Sequence, residues 1–470
     1  MSERADKREL SYNNSITEGV IWKQLLAFFF PILLGTFFQQ LYNTADAIIV
    51  GKFVGKESLA AVGGATGAIL NLLVGFFVGL SSGASVIIAQ YFGARKNQDV
   101  SKAVHTAAAL AIAAGLFMTV MGILFLPYVL TWMGTPPEIM APATTYIRIF
   151  SLGMLPSLIY NIGSGILRAI GDSRRPLFFL IASCMMNILL DVLLVVGLDM
   201  GVKGAAIATI LSQLTSAVLV IVTLMRSSMS YQLFPKKIRF HGEMLRSIIR
   251  IGLPAGLQSV MYSLSNVIIQ SGVNSFGTDT MAAWTAYGKI DGLFWMTINA
   301  FGIAITTFSG QNFGAGKYDR MRQSVRTCLK MAIVTTLALS GVLLLLGGTL
   351  LKMFTDDANV VSIGLTIIRL LVPTYVTFVC IEVLSGAVRG TGDTLVPTIM
   401  TLTGVCLIRV LWLFFVVPLH RTLPTVLVSY PITWTLTSVL FIIYYLSGSW
   451  FRRALKRKEA AENAETEEAA

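Results

Sequence analysis

Two aspartates stand alone in long apolar stretches of this chain. Asp46 follows Asn43 by three residues, and Asp191 follows Asn187 by four. At those spacings each amide shares a helix face with its carboxylate. A carboxylate with an amide oxygen beside it can hold a proton or ligate a small cation. It can equally make a buried polar contact between helices, and the residues alone leave both readings open. The other ionisable residues inside apolar stretches are Arg148, Lys289, Asp291, Arg369, Glu382 and Arg409. A charge at the centre of a spanning helix costs about 2.5–3.5 kcal/mol on insertion scales, so each calls for a reason. Lys289 and Asp291, two apart, face different directions on a helix and are candidates for a polar cavity lining. Glu382 is a candidate titratable group or a structural partner for Arg409. Arg148 and Arg369 fall near the outer ends of their stretches, where long side chains reach the interface. No hydrolytic triad, phosphate-binding Gly-Lys-Ser/Thr loop or metal-ligand cluster is present, and His105, His241 and His420 all lie at loops or stretch edges. An enzyme is therefore not expected.

The elements that must hold these residues are membrane helices. Of 470 residues, 55% are hydrophobic and 13% charged, and the mean hydropathy is +0.72, far from the roughly 25% charged residues of soluble domains. Apolar runs near the ~20 residues needed to cross a hydrocarbon core recur throughout. They predict spans at 23–50, 59–89, 103–127, 142–170, 177–197, 204–225, 246–275, 281–309, 327–353, 361–388, 396–418 and 424–446. The 41 glycines suit close helix contact in lipid. Cys184, Cys328, Cys380 and Cys406 lack C-x-x-C spacing and read as free thiols. The first twenty residues have no signal-peptide pattern.

Positive charge alternates from loop to loop. Arg95, Lys96 and Lys102 follow span two, Arg174 and Arg175 span four, Lys236, Lys237 and Arg239 span six, and Lys317, Arg320 and Arg322 span eight. By the positive-inside rule both termini are cytoplasmic, which accounts for the net charge of +12 without nucleic acid. An internal repeat organises the chain. Gly-Ile-Leu-Arg-Ala-Ile-Gly-Asp ending at Asp172 returns as Gly-Ala-Val-Arg-Gly-Thr-Gly-Asp ending at Asp393, and Gln90-Tyr-Phe-Gly-Ala returns as Gln311-Asn-Phe-Gly-Ala in the same register. The predicted fold is all-α and integral to the membrane: twelve transmembrane helices in two pseudo-symmetric six-helix lobes of like orientation. The expected divisions are an N-terminal segment 1–22, lobes 23–225 and 246–446 joined by a cytoplasmic linker 226–245, and a tail 447–470 whose end is a frayed helix or disorder. In the repeated motif Arg168, Gly171 and Asp172, and likewise Arg389, Gly392 and Asp393, are expected to form hinges, with glycine permitting a tight turn and the polar residues capping helix ends.

The text Leu41-Tyr-Asn-Thr-Ala-Asp46, the paired Arg-x-x-Gly-Asp motifs, the Gln-x-Phe-Gly-Ala echoes and Asn187-Ile-Leu-Leu-Asp191 followed by Gly204-Ala-Ala-Ile-Ala-Thr209 together resemble the multidrug and toxic compound extrusion (MATE) transporters over roughly residues 15–450. The resemblance implies a cell-membrane antiporter that exports organic, often cationic amphipathic compounds against entry of Na⁺ or H⁺ and needs no other cofactor. Its partners are small organic molecules and the bilayer, with no nucleic acid, and it acts as a monomer. In the branch with an aspartate in span one, the coupling site maps onto Asp46, Asn161, Asn187, Asp191 and Thr209. Secondary cavity candidates are Asn43, Lys289, Asp291 and Glu382. A lipid-linked oligosaccharide flippase of the same superfamily would show several cavity arginines, and a major-facilitator-type carrier a Gly-x-x-x-Asp-Arg loop that is lacking here.

Overall fold

The computed structural model describes residues 16–469, so the first fifteen residues of the expected segment 1–22 lie outside it. Long helices follow the hydropathy: α1 (Ile21–Val54), α2 (Glu57–Gly93), α3 (Asn97–Trp132), α4 (Pro137–Leu152 and Met154–Ala169), α5 (Arg174–Gly197) and α6 (Gly201–Met225). After a connecting segment come α7 (Gly242–Asn274), α8 (Thr278–Gly314), α9 (Tyr318–Lys352), α10 (Ala358–Gly390), α11 (Leu395–Phe415), α12 (Leu423–Leu446) and a final helix, α13 (Ser449–Ala469). Among the described residues ten of these are long and apolar enough to cross a membrane, and α4, bent by 46°, makes an eleventh. The twelfth is α7, whose apolar run is diluted by Gln258, Ser259, Ser263, Asn266 and Gln270. In lipid only a helix satisfies every backbone group within its own segment, which is why such runs fold this way. Several helices outrun their apolar core into water: α3 starts at Asn97, six residues before the expected span.

The chain forms two compact units. One comprises Ala27–Gly256, and the other Ile16–Leu26 together with Leu257 onward. In the first unit α4 packs on α2 and α3, and α5 on α6, around a core that includes Phe77, Ile88, Leu158 and Ile166. The start of α7 crosses α2 at a seam of four glycines. A Cβ on Gly79 would lie 2.5 Å from the Cα of Gly256, and one on Gly83 2.7 Å from the nitrogen of Gly252. The segment before α7 is tied to α3: the Phe234 amide donates to His105 Nε2 at 3.0 Å, and Thr106 Oγ1 meets His241 Nδ1 at 3.0 Å.

In the second unit α8 lies at the centre, against α9 and α10, with α12 on α10. Arg320 and Lys317 at the head of α9 hold the segment before α1. Arg320 donates to the carbonyls of Ile16, Glu18 and Gly19 and to Gln24, and Lys317 donates to the Thr17 carbonyl. Along α13, Trp450 stacks on Tyr445, and Arg453 and Arg457 pair with Asp393. The last residues of the tail continue this helix to Ala469.

Candidate functional site

The first unit draws its two lone aspartates together. Asp46 lies near the end of the regular part of α1, just before the wider π-helical turn Val50–Val54, and Asp191 is the last α-helical residue before the similar turn Val192–Gly197. These two turns pack against one another, and the first also against α6. Turns of this kind, with one extra residue per ring of hydrogen bonds, concentrate at functional positions. Asp46 is 8% exposed, and Asn187 and Asp191 are 0% exposed. Among the described residues Asp46 Oδ1, both Asp191 oxygens, and the oxygen and nitrogen of the Asn187 amide have no hydrogen-bond partner.

The two carboxylates act on each other electrostatically. Both also act on the hydroxyl of Tyr146, from the first half of α4, which has Thr209 of α6 beside it. Tyr42, one turn before Asp46, lies in the field of the same carboxylate. The set of oxygens comprises two carboxylates, an amide and hydroxyls, a donor set suited to Na⁺ or a proton. Thr209 gives its own proton to the Ala205 carbonyl at 3.0 Å, leaving its oxygen as an acceptor. Asn161 is half-buried and donates to Ser157 O at 2.9 Å within its own helix. Among the described residues no hydrogen bond joins it to the aspartates. Asn43, three residues before Asp46 on the same helix, is exposed and meets Gln40. Tyr146 has no mark in the sequence that would have selected it, since its partners lie on three other helices.

In the second unit Asp291 is fully engaged. Its carboxylate accepts hydrogen bonds from Tyr287 (3.2 Å), Trp295 Nε1 (2.7 Å) and the Tyr375 hydroxyl. Tyr375 also stacks on Phe294, with centroids 4.1 Å apart. Tyr287, Asp291 and Trp295 recur every four residues, a helical stripe that the sequence offered and that reading it for charge alone passed over. Lys289 is exposed, away from this cluster. Glu382 of α10 presses against Gly302 of α8, where there is no room for a Cβ, and its electrostatic partner is Arg389. Among the described residues no group of three His, Cys, Asp or Glu converges as a metal cluster would.

The repeated Arg-x-x-Gly-Asp motifs both close a helix and open the next. Gly171 (φ +97°) and Gly392 (φ +87°) occupy the left-handed region, which costs a side chain about 1–2 kcal/mol. Asp172 accepts from the amides of Arg174 and Arg175 at the start of α5, both at 3.1 Å. Asp393 instead accepts from the Tyr444 hydroxyl at 2.9 Å and pairs with the arginines of α13. Arg168 and Arg389 end their helices just before these turns.

Comparison with known proteins places this arrangement. The family model MatE matches twice, over residues 31–193 and 254–415. The chain is 27% identical over 93% of its length to the probable multidrug resistance protein YoeA of Bacillus subtilis (strain 168), of which 96% is covered. It is 23% identical over 84% of its length to the multidrug export protein MepA of Staphylococcus aureus (strain NCTC 8325 / PS 47), of which 87% is covered. A solved MOP superfamily transporter from Pyrococcus furiosus superposes with a TM-score of 0.86 at 23% identity, covering 95% of this chain and 98% of that one. An outward-facing multidrug resistance MATE family transporter does so with a TM-score of 0.85 at 24% identity, covering 94% and 98%. These structures share the all-helical fold, and the two matches to one family model repeat the duplication already visible in the paired motifs. The chain thus belongs to the MatE family of multidrug and toxic compound extrusion transporters.

Proposed function

We propose that this protein is a secondary antiporter that exports organic, often cationic and amphipathic compounds in exchange for Na⁺ or H⁺, with Asp46 and Asp191 as one coupling site. The observation that carries this reading is the pair of buried carboxylates, beside Asn187, with oxygens that no protein donor meets. Two such groups in a low-dielectric interior cannot both stay ionised and uncompensated. A proton or a Na⁺ held between them removes the conflict, with Asn187 and Thr209 supplying neutral oxygens. Because both aspartates adjoin wide helical turns, the arrival or departure of the ion bears on how α1 and α5 pack at those turns. Coupling then follows by linkage: an ion that disfavours the drug-bound state is disfavoured by the drug to the same degree. The names of the relatives, multidrug resistance and multidrug export, support the substrate class. The positive loops support a cell-membrane protein with both termini in the cytoplasm, acting as a monomer with access alternating between the two sides.

The test is ethidium export from proteoliposomes under an imposed Na⁺ or H⁺ gradient. Asp46→Asn and Asp191→Asn should each lower gradient-driven export at least tenfold at unchanged reconstitution, and the gradient that drives the wild type identifies the ion. Wild-type export by either variant removes the site assignment. Translocation of lipid-linked sugars without export of any organic cation would establish the flippase reading in its place.

A further inference from the structure

The second unit contains a buried positive charge that no carboxylate meets. Arg409 of α11 stands two residues after the π-helical turn Leu402–Leu407 and is 2% exposed. Among the described residues its guanidinium makes one hydrogen bond, from Nη2 to Thr433 Oγ1 at 3.2 Å. Its central carbon, Cζ, lies over the Tyr430 ring, 3.9 Å from the centroid, and 5.8 Å from the centroid of the Trp434 ring. Nε is buried without an acceptor. The groups that act on it electrostatically are Tyr430, Tyr262 and Cys406, none of them a carboxylate.

Two further atoms on the neighbouring turns of α12 share this condition. Trp434 Nε1 and Thr437 Oγ1 are buried and, among the described residues, unpartnered, in residues 2% and 0% exposed. Thr433 and Thr437 lie one turn apart on one face of α12, and Thr437 packs so closely on Gly404 of α11 that a Cβ there would come within 3.2 Å of its own Cβ. Guanidinium and indole N–H groups only donate, so whatever meets them has to bring acceptors. The contact with Tyr430 attracts the cation but supplies no lone pair in the guanidinium plane. A water molecule would satisfy an N–H and leave the charge uncompensated. The repeat sharpens the contrast. In the register that pairs Arg168 with Arg389, Ile408 and Trp412 stand where Asn187 and Asp191 stand in the first half, so Asp191 has no acidic counterpart and the cation Arg409 stands near the equivalent position instead.

We propose that Arg409, Trp434 and Thr437 form a binding site for a small monovalent anion, either a halide or the carboxylate group of a small organic acid. The site is independent of the coupling assignment above and is tested without transport. The full chain, purified into nanodiscs in sodium sulfate, is titrated with chloride and separately with acetate at constant ionic strength and Na⁺ concentration. The melting temperature is followed, with quenching of tryptophan emission by iodide as a second readout. The wild type should be stabilised along a saturating curve by at least one anion, and Arg409→Gln should move the midpoint at least tenfold higher. Response to chloride alone assigns a halide, and response to acetate alone assigns a carboxylate. Should Arg409→Gln fail to fold, Thr437→Val decides, with a midpoint about fivefold higher expected. No saturable response in the wild type, or a midpoint unmoved by the variant that folds, overturns the proposal.

Discussion

Gly83→Ala tests the close crossing of α2 and α7 quantitatively. A Cβ at this position would lie 2.7 Å from the nitrogen and 2.9 Å from the Cα of Gly252, and closer still to the Ile248 carbonyl. All three are backbone atoms, so no rotamer change can relieve the contact. Ordinary carbon contacts need about 3.5–4.0 Å, so the helices must part by roughly 1 Å, a gap that forfeits a quarter to a half of the dispersion energy along the seam. Overpacking of this kind costs about 1–3 kcal/mol. The better helix propensity of alanine returns roughly 0.5–1 kcal/mol, leaving a net loss centred on about 1 kcal/mol and reaching at most about 2.5 kcal/mol. At about 2–4 °C per kcal/mol for a unit of this size, a loss of about 1 kcal/mol lowers the melting temperature by about 2–4 °C. The four cysteines are free, three of them buried, so a thiol-reactive fluorophore reports unfolding without further mutation. Gly341→Ala is the control, because nothing lies within 4 Å of the added methyl in the middle of α9; it should match or slightly exceed the wild type. Gly79→Ala combined with Gly83→Ala should cost less than the sum, since one separation makes room for both methyls. Gly83→Ala melting with the wild type, in the same scans as an unperturbed control, would refute the reasoning.

Two further outcomes are expected. Burial, and then the charges of Arg239 and Lys102, hold His241 below its ordinary value of 6.5; the unfolded segment therefore takes up the proton first, and the contact is fully stable above pH 6.5 and weakens as pH falls through it. Protonation also removes the acceptor that Nε2 presents to Arg239. Hydrogen exchange of residues 234–245, corrected for intrinsic rate, should accelerate between pH 7.5 and 5.5 in the wild type and change less in His241→Gln, and equal pH responses would contradict this. Arg320→Ala removes three hydrogen bonds to the segment before α1 and one to Gln24 in its first turn, worth about 2 kcal/mol in all after allowance for solvent. Cleavage after Glu18 by a glutamate-specific protease should then rise by at least about tenfold, and an unchanged rate would show that other contacts hold the segment.

Hydropathy alone located the long helices, because a chain in lipid must close its backbone hydrogen bonds within each apolar run, and that requirement is local. The same holds for the repeat and for Gly171 and Gly392, whose backbone conformation is decided by the residue that occupies it. The bend in α4 beside Gly153 has a local cause, since Pro156 cannot donate to the Leu152 carbonyl, whereas the assignment of Ile16–Leu26 to the unit that begins at Leu257 joins segments far apart in sequence. Periodicity could suggest that Asn43 accompanies Asp46. Which of the two is buried depends on what lies beside α1, and there Asn43 is exposed and Tyr146 is the closer associate of the carboxylate. The contrast is clearest for charge. Asp191, Asp291 and Arg409 look alike in the sequence, each an isolated ionisable residue in an apolar run. Tertiary structure surrounds Asp291 with three donors, leaves Asp191 with none and gives Arg409 an aromatic face in place of a carboxylate. The cost of burying a charge depends on the partners brought to it: for Asp291 two of these stand one turn away on its own helix and only Tyr375 comes from another, whereas for Arg409 the partners Tyr430 and Thr433 both come from another helix.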